Sequence, residues 1–459
     1  MIMMMSECAE TVRGKLVGED VSFTSVSIDT RALTHDQLYI AIKGHNFDGN
    51  EFVDQAQKVG AIAAIVHKGI ETSLPHVIVE DTRLALAQLA GAWRSKLSEK
   101  GKDALSVVGV TGSNGKTTVK EMVASILAVN AAVLFTQGNL NNDIGVPLTL
   151  LKMNEQHRYA VIEMGANHAG EIAYTSHYAK ADVAIITNSG AAHLEGFIDL
   201  EGVAKAKGEI IETLRKDGCA IINHDDAYFD YWKAIAGDRR VLSFGLNKEA
   251  NVTAKNIEAK LSDGAFVTKF ELVTEKNVVE INLKLAGQHN VLNALAAAAA
   301  CLALGIELQQ IKQGLENVRP VTGRLQPLMS RLGNLIIDDT YNANSSSLKA
   351  GLDVLVNFKS KQVLVLGAFG ELGPDSPKIH EEMASLIKNS GVERLLAVGE
   401  DAKKTVQAFG KGATFYENQQ DLIDALKKEL KGDETILIKG SRAQRMENVA
   451  AALVDNFRK

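Results

Sequence analysis

Short, almost wholly apolar runs alternate along this chain with longer stretches whose apolar residues recur at helical spacing. An apolar run buried on both faces, followed by an amphipathic helix, is the mark of a parallel sheet with helices packed on its two sides. The rhythm starts three times. Residues 1–104 hold LYIAIKG and AIAAIVH, with the helical pattern FVDQAQKVG between them. Residues 105–320 hold SVVGV, AVLF, YAVIEMG, DVAIITN, CAIIN and RVLSF, with helices expected to start at Lys116, Glu171, Gly202 and Tyr228. Residues 250–285 change to an alternating, β-branched, Lys/Glu-rich pattern, which predicts an antiparallel meander at the sheet edge. Helices are expected next over Gln288–Leu304 and Ile311–Asn317. Residues 321–459 restart with LIIDDTYN, QVLVLG, ERLLAVG, ATFYE and TILIKGS. The polar WRSKLSEKGK and the Pro320–Pro327 stretch around VTGRLQ mark the two boundaries. The expected fold is α/β in three domains. The central sheet is mostly parallel, and the last domain is Rossmann-like but lacks a GxGxxG fingerprint.

Composition narrows the function classes. A chain of 459 residues suits about three domains. With 46% hydrophobic and 23% charged residues it reads as an ordinary globular protein. A net charge of -6 argues against a nucleic-acid partner held by bulk electrostatics. Cys8, Cys219 and Cys301 are scattered, with neither metal-site nor disulfide spacing, as in a reducing compartment. The start, MIMMMSECAE, lacks the basic and long apolar regions of a signal peptide. The run LNALAAAAACLAL is shorter than the roughly 20 residues that span a bilayer and reads as a tightly packed helix. A cytoplasmic protein without membrane insertion is expected.

The chemistry gathers around Val107–Thr118. An apolar strand enters a turn of Gly112, Ser113, Asn114 and Gly115, then Lys116, Thr117, Thr118 and a helix. Backbone N–H groups and the helix N-terminus would face anionic oxygens there, with Lys116 as a point charge and the Thr117 hydroxyl in reach of Mg²⁺. The strict phosphate-loop pattern places a glycine at position 110, which is valine here, with Gly109 and Gly112 beside it. Other strand ends carry polar residues suited to one ligand site. Glu163 closes YAVIEMG, where a carboxylate could take Mg²⁺. Thr187 and Asn188 close DVAIITN, and His193 follows. Mg²⁺ rarely takes imidazole, so a hydrogen-bonding loop histidine is the plainer reading. Lys205 and Lys207 lie two apart on a helix, on different faces, and by themselves read as surface lysines. Asn290 and Asn293 share a helix face, where they could read a purine edge or tether the helix. Arg324, between domains, could reach a γ-phosphate on closure. Asp338–Asn344 (DDTYNAN) ends the first strand of the last domain and would face the nucleotide. Asp29 and Arg31 follow an N-terminal strand, as a ligand site or as a solvated ion pair.

These pieces occur in a fixed order: GVTGSNGKTT, EMG, TN…AAHLE, AKAKGEI, GQHNVLNALAA, GRLQ and DDTYNAN. In that order the chain resembles the Mur ligases of peptidoglycan precursor synthesis. EMGANHAGEI, LGAFGELG and KGSR look most like the branch that adds D-alanyl-D-alanine. The resemblance implies an ATP-dependent peptide ligase that joins D-alanyl-D-alanine to UDP-N-acetylmuramoyl-tripeptide through an acyl phosphate. It implies a monomer with a UDP-substrate domain over 1–104, an ATP-binding domain over 105–320 and a dipeptide-binding domain over 321–459. By resemblance Gly112–Thr118 hold the ATP phosphates and one Mg²⁺, with Lys116, Lys207, His193 and Arg324 catalytic. Glu163 and His193 would hold a second Mg²⁺. Lys207 matches a lysine carbamylated by CO₂. Asn290 and Asn293 match adenine contacts, and Arg324 and Asp338 or Asp339 the phosphate and ribose side. Ser27, Asp29 and Arg31 fall in the uridine-nucleotide region, and Asn188 among the substrate contacts. The chain departs from the family pattern at Thr30, Ser345 and Ala368–Phe369, the last two bearing on dipeptide contacts. Another ligase of the superfamily, amino-acid-adding or folylpolyglutamate-type, and a phosphate-loop switch are the competing readings.

Overall fold

The computed structural model describes residues 2–44, 47–98, 105–190, 197, 199–262, 264–370 and 372–454. Three large sheets organise it. The N-terminal sheet has five strands in the order Lys15–Val17, His76–Val79, Ala63–His67, Gln37–Ile40 and Ser25–Ser27, parallel except for the first pair. From it the helix Thr82–Ser98 runs onto the central domain.

The central sheet has nine strands, with Ser106–Thr111 between Val183–Ile186 and His157–Glu163 and parallel to both. The chain first crosses to one side, through Ala132–Phe135 and His157–Glu163. It then crosses to the other, through Val183–Ile186, Cys219–Asn223 and Arg240–Phe244. The loop after Ser106–Thr111 therefore opens where the winding reverses, the usual ligand crevice of such sheets. The expected meander is present as antiparallel Val252–Ser262, Ala265–Thr274 and Val278–Leu283. Neighbouring side chains enter opposite cores: Val107, Ala160 and Ile186 on one face, Val108, Val161 and Ile185 on the other. The Ala-rich helix Gln288–Ala303 is buried from Ala294 to Cys301. Its small side chains let it lie close against five strands of the central sheet and the helix Lys116–Leu127. Among the described residues no helix is long and apolar enough to cross a membrane.

The C-terminal sheet has six strands in the order Gln326–Met329, Leu335–Asp339, Glu434–Lys439, Lys361–Gly367, Arg394–Val398 and Ala413–Tyr416, parallel except for the first pair. The edge strand Gln326–Met329 is an addition to the sequence reading, which took this stretch only as a boundary. Pro327 masks it, because proline lacks an N–H and is tolerated only at an edge such as this one.

Candidate active site

The strand Ser106–Thr111 delivers the loop. Gly109 belongs to the strand, where a Cβ would come within 3.1 Å of Ile210 Cδ1, so its task is helix packing. The loop's own first glycine is Gly112, at φ +142°, and a Cβ there would fall 1.9 Å from Thr187 Oγ1. Gly115, at φ +83°, lies against Asn293, whose Oδ1 would be 2.4 Å from a Cβ. Neither position can carry a side chain without moving the wall behind it.

Lys116 opens the helix Lys116–Leu127 and curls over the loop, its Nζ donating to Gly112 O at 2.7 Å. Burial lowers its pKa, opposed by Glu163 and assisted by Arg324. The Asn114 peptide is fixed from Thr187 and Asn188. Asn114 N donates to Asn188 Oδ1 at 3.0 Å, and Asn114 O accepts from Asn188 Nδ2 at 3.1 Å and from Thr187 Oγ1 at 2.6 Å. Both ends of the Asn188 amide are thus committed to the loop. Asn188, expected as a substrate contact, braces the loop and also lines a cavity beside it.

Glu163 is 3% exposed at its strand end. Its Oε1 accepts from Asn141 Nδ2 at 2.9 Å, while among the described residues its buried Oε2 has no hydrogen-bond partner. A carboxylate oxygen left bare costs free energy unless a cation or donor meets it. No three His, Cys, Asp or Glu side chains converge into a metal cage among the described residues. One bare carboxylate near a Thr hydroxyl fits Mg²⁺ instead, which takes few protein ligands and completes its shell with phosphate oxygens and water. His193 lies outside the described residues.

Arg324 arrives from the C-terminal side on a turn with Gly323 at φ +72° and Leu325 at φ +47°. Its Nη2 donates to Thr117 Oγ1 at 2.9 Å, and its guanidinium stacks 4.3 Å from the Tyr341 ring centre. Its buried Nε has no partner among the described residues. Thus Thr117 and Arg324, 207 residues apart, are in direct contact.

Two cavities flank the loop. One, of about 320 Å³, is lined by Lys116, Thr117, Glu163, Arg324, Asp339 and Lys439 among others. The other, of about 300 Å³, includes Thr118, Asn188, Asn290, Asn293, Arg319 and Arg324. Asn290 Nδ2 donates to Ala286 O at 2.7 Å, and Asn293 Nδ2 donates to Asn290 Oδ1 at 3.0 Å. This pair therefore tethers the helix and also lines the second cavity. Asp338 does not line either cavity. Its Oδ1 accepts from Thr340 N and Oγ1, and burial raises its pKa. Its neighbour Asp339, on the opposite face of the strand, lines both cavities and pairs with buried Lys439.

Lys207 is 1% exposed, on the helix Leu200–Glu212, rather than a surface lysine. Its Nζ stands 5.3 Å from the Phe197 ring centre. Burial, reinforced by Lys116, brings its pKa down to about 7. Ser27, Asp29 and Arg31 line neither cavity and lie at and just beyond the carboxyl end of the strand Ser25–Ser27. Ser27 Oγ donates to Asp29 O at 3.0 Å. Arg31 and Asp29 form an exposed pair at 2.7 Å, which holds the Asp29 carboxyl at about 2. Sequence reasoning did not single out Asn141 or Tyr341, nor give Lys439 a task. The asparagine-rich turn GNLNNDIG after AVLF was the one signal available for Asn141.

Comparison with known proteins agrees with this layout. Family models match over 22–94 (Mur ligase family, catalytic domain), 110–301 (Mur ligase middle domain) and 323–442 (Mur ligase, glutamate ligase domain). The chain is 43% identical to UDP-N-acetylmuramoyl-tripeptide–D-alanyl-D-alanine ligase of Escherichia coli, over 98% of both chains. The structure superposes on MurF from Acinetobacter baumannii with a TM-score of 0.91 at 35% identity, covering 98% of each. It superposes on MurF ligase from Thermotoga maritima in complex with ADP with a TM-score of 0.83 at 28% identity, covering 94% of this chain and 96% of that one. With three family domains in order and full-length relatives well above 30% identity, the chain belongs to the Mur ligase family.

Proposed function

We propose that this chain is an ATP-dependent ligase that joins D-alanyl-D-alanine to the carboxylate of UDP-N-acetylmuramoyl-tripeptide, forming a peptidoglycan precursor. The observation that carries this reading is the single cavity in which Lys116, Thr117, Glu163 and Arg324 meet residues of the C-terminal domain. The family and the substrates in its relatives' names supply the reactants. The glycine loop suits the phosphates of a nucleotide, and the second cavity, with Asn290 and Asn293, suits its base.

The tripeptide carboxylate attacks the γ-phosphorus of ATP, the bond to the bridging oxygen breaks, and ADP leaves an acyl phosphate. Carboxylate and triphosphate repel each other, so the cations Lys116 and Arg324 must stabilise charge in the transition state. Thr117 and Glu163, with His193 by resemblance, would hold Mg²⁺, which when bound neutralises phosphate oxygens. The free amine of D-alanyl-D-alanine then attacks the acyl carbon, and phosphate departs as the amide forms. Contact of the C-terminal domain with the loop keeps water from the acyl phosphate.

Lys207 supports a further part of this reading. Its neutral amine would add to CO₂, giving a carbamate and one proton, and the resulting anion would offset the charge of Lys116. Burial and a pKa near 7 supply the neutral amine this addition needs. Lys207→Ala should lose activity and regain part of it with added acetate or formate, whereas a fully active variant rules the carbamate out. ATP supply and three buried free cysteines favour the cytoplasm.

The decisive measurement of function is phosphate release from ATP with UDP-N-acetylmuramoyl-tripeptide, with and without D-alanyl-D-alanine. Sustained turnover is expected only with both substrates. Turnover indifferent to the dipeptide would point to a phosphate-loop switch.

A further inference from the structure

Asn114 is bound to two domains at once. Its peptide group is held from Thr187 and Asn188, while its side chain reaches the start of the C-terminal helix Ser345–Leu355. There three side chains close a ring. Asn114 Nδ2 donates to Ser346 Oγ, Ser346 Oγ donates to Asn344 Oδ1, and Asn344 Nδ2 donates to Asn114 Oδ1, each at 2.9 Å. The direction of the ring is fixed independently. Asn344 caps its helix by accepting from Ser347 N at 2.8 Å, so its Oδ1 must face the helix and its Nδ2 must face Asn114. Asn114 has no other orientation that satisfies both partners.

The ring acts one residue from Gly115 and two from Lys116. A shift of the loop would break it, and so would a shift of the helix. We propose that Asn344 and Ser346 are positioning residues that register the C-terminal domain on the phosphate loop through Asn114. Loop conformation and domain docking are then one equilibrium, and the ring acts on the catalytic step more than on nucleotide binding. The kinetic form of the proposal rests on the ligase reading above.

Asn344→Asp separates the ring from the helix cap. The aspartate still accepts from Ser347 N, but a carboxylate oxygen replaces the N–H that faces Asn114 Oδ1. Losing one such link is worth about tenfold, so kcat should fall by about that factor. ADP affinity should stay within about twofold and Tm should hold. If Asn344 served only as a cap, Asn344→Asp would rescue Asn344→Ala. The ring instead requires both variants to be slow, and Ser346→Ala to be slow with an intact cap. Wild-type kcat in Asn344→Asp, or ADP affinity falling in step with kcat, overturns the proposal. If the wild-type chain shows no dipeptide-dependent turnover, the ligase reading fails, and the ring is judged by small-angle scattering of the full chain. A larger radius of gyration in Asn344→Asp then supports the ring, and an unchanged profile overturns it.

Discussion

Where the helix Thr82–Ser98 crosses onto the central domain, Arg94 is 1% exposed and its guanidinium is spent on Ala179 O, Lys180 O and Asp182 Oδ2. Beside it Trp93 Nε1 donates to Met153 O, and Ala85, Leu86 and Leu89 share one continuous apolar core with Val146, Leu150 and Ile172. The other junction is built differently. The C-terminal domain has its own cores, in which Phe266 and Ala286 are the central-domain members among the described residues. Around the loop it touches the central domain through amides, hydroxyls and one guanidinium: Asn114, Asn344, Ser346, Thr117 and Arg324. Burying apolar area is strong and non-directional, whereas a hydrogen bond exchanged with water contributes little net. The first junction therefore welds two domains into one folding unit. The second can be made and unmade at low cost, as suits a cavity that must admit three substrates and release three products.

The largest effect should come from breaking the weld. Arg94→Ala takes a donor from the buried Ala179 O, from Lys180 O and from Asp182, and should cost about 3–5 kcal/mol in urea denaturation. The turnover of the remaining folded protein should be nearly unchanged. A loss under about 1 kcal/mol would erase the contrast between the junctions. Arg324→Ala should do the reverse. It should lower kcat by about 10²-fold or more and leave stability within about 1 kcal/mol. A large drop in Tm with normal kcat would make Arg324 a structural residue.

A third test is a pH slope on the welded side, where Lys207 shares its helix with Ala204, Ala206 and Ile210 of that core. Its folded pKa of about 7 lies below the ordinary 10.5. Below pH 7 both states are protonated, and the penalty for burying the cation is fully present. Between about 7 and 10.5 the unfolded chain binds more protons, so stability rises with pH, and above that window the penalty is gone. In CO₂-free buffer the urea midpoint should therefore climb from pH 7 to 9, and Lys207→Met should flatten the climb. Equal slopes in the two proteins would show that Lys207 titrates normally.

Several parts of the site were legible because their signal is local. An apolar run, two glycines and Lys-Thr specify a strand, a positive-φ turn and a helix, whatever the rest of the chain does. Glu163 was legible for the same reason, as a carboxylate closing a buried strand. Asp338 and Asp339 show where that legibility stops. The strand Leu335–Asp339 is buried on both faces, so no polar alternation tells which aspartate faces the cavity. Asn188 was legible as a strand-end amide lining a cavity, but its bonds to both sides of Asn114 come only from the fold.

The sequence by itself determined the α/β rhythm, the loop and its cation, and the family, because periodicity and turn chemistry act over a few residues. The tertiary structure alone decided that Asn114 meets Asn344 and Ser346, 230 and 232 residues away, and that Thr117 meets Arg324. It also buried Lys207, which sequence spacing had left on the surface. Those pairings depend on strand order and domain docking. No short-range pattern encodes either, because any hydroxyl or amide in the right place could make the same bond.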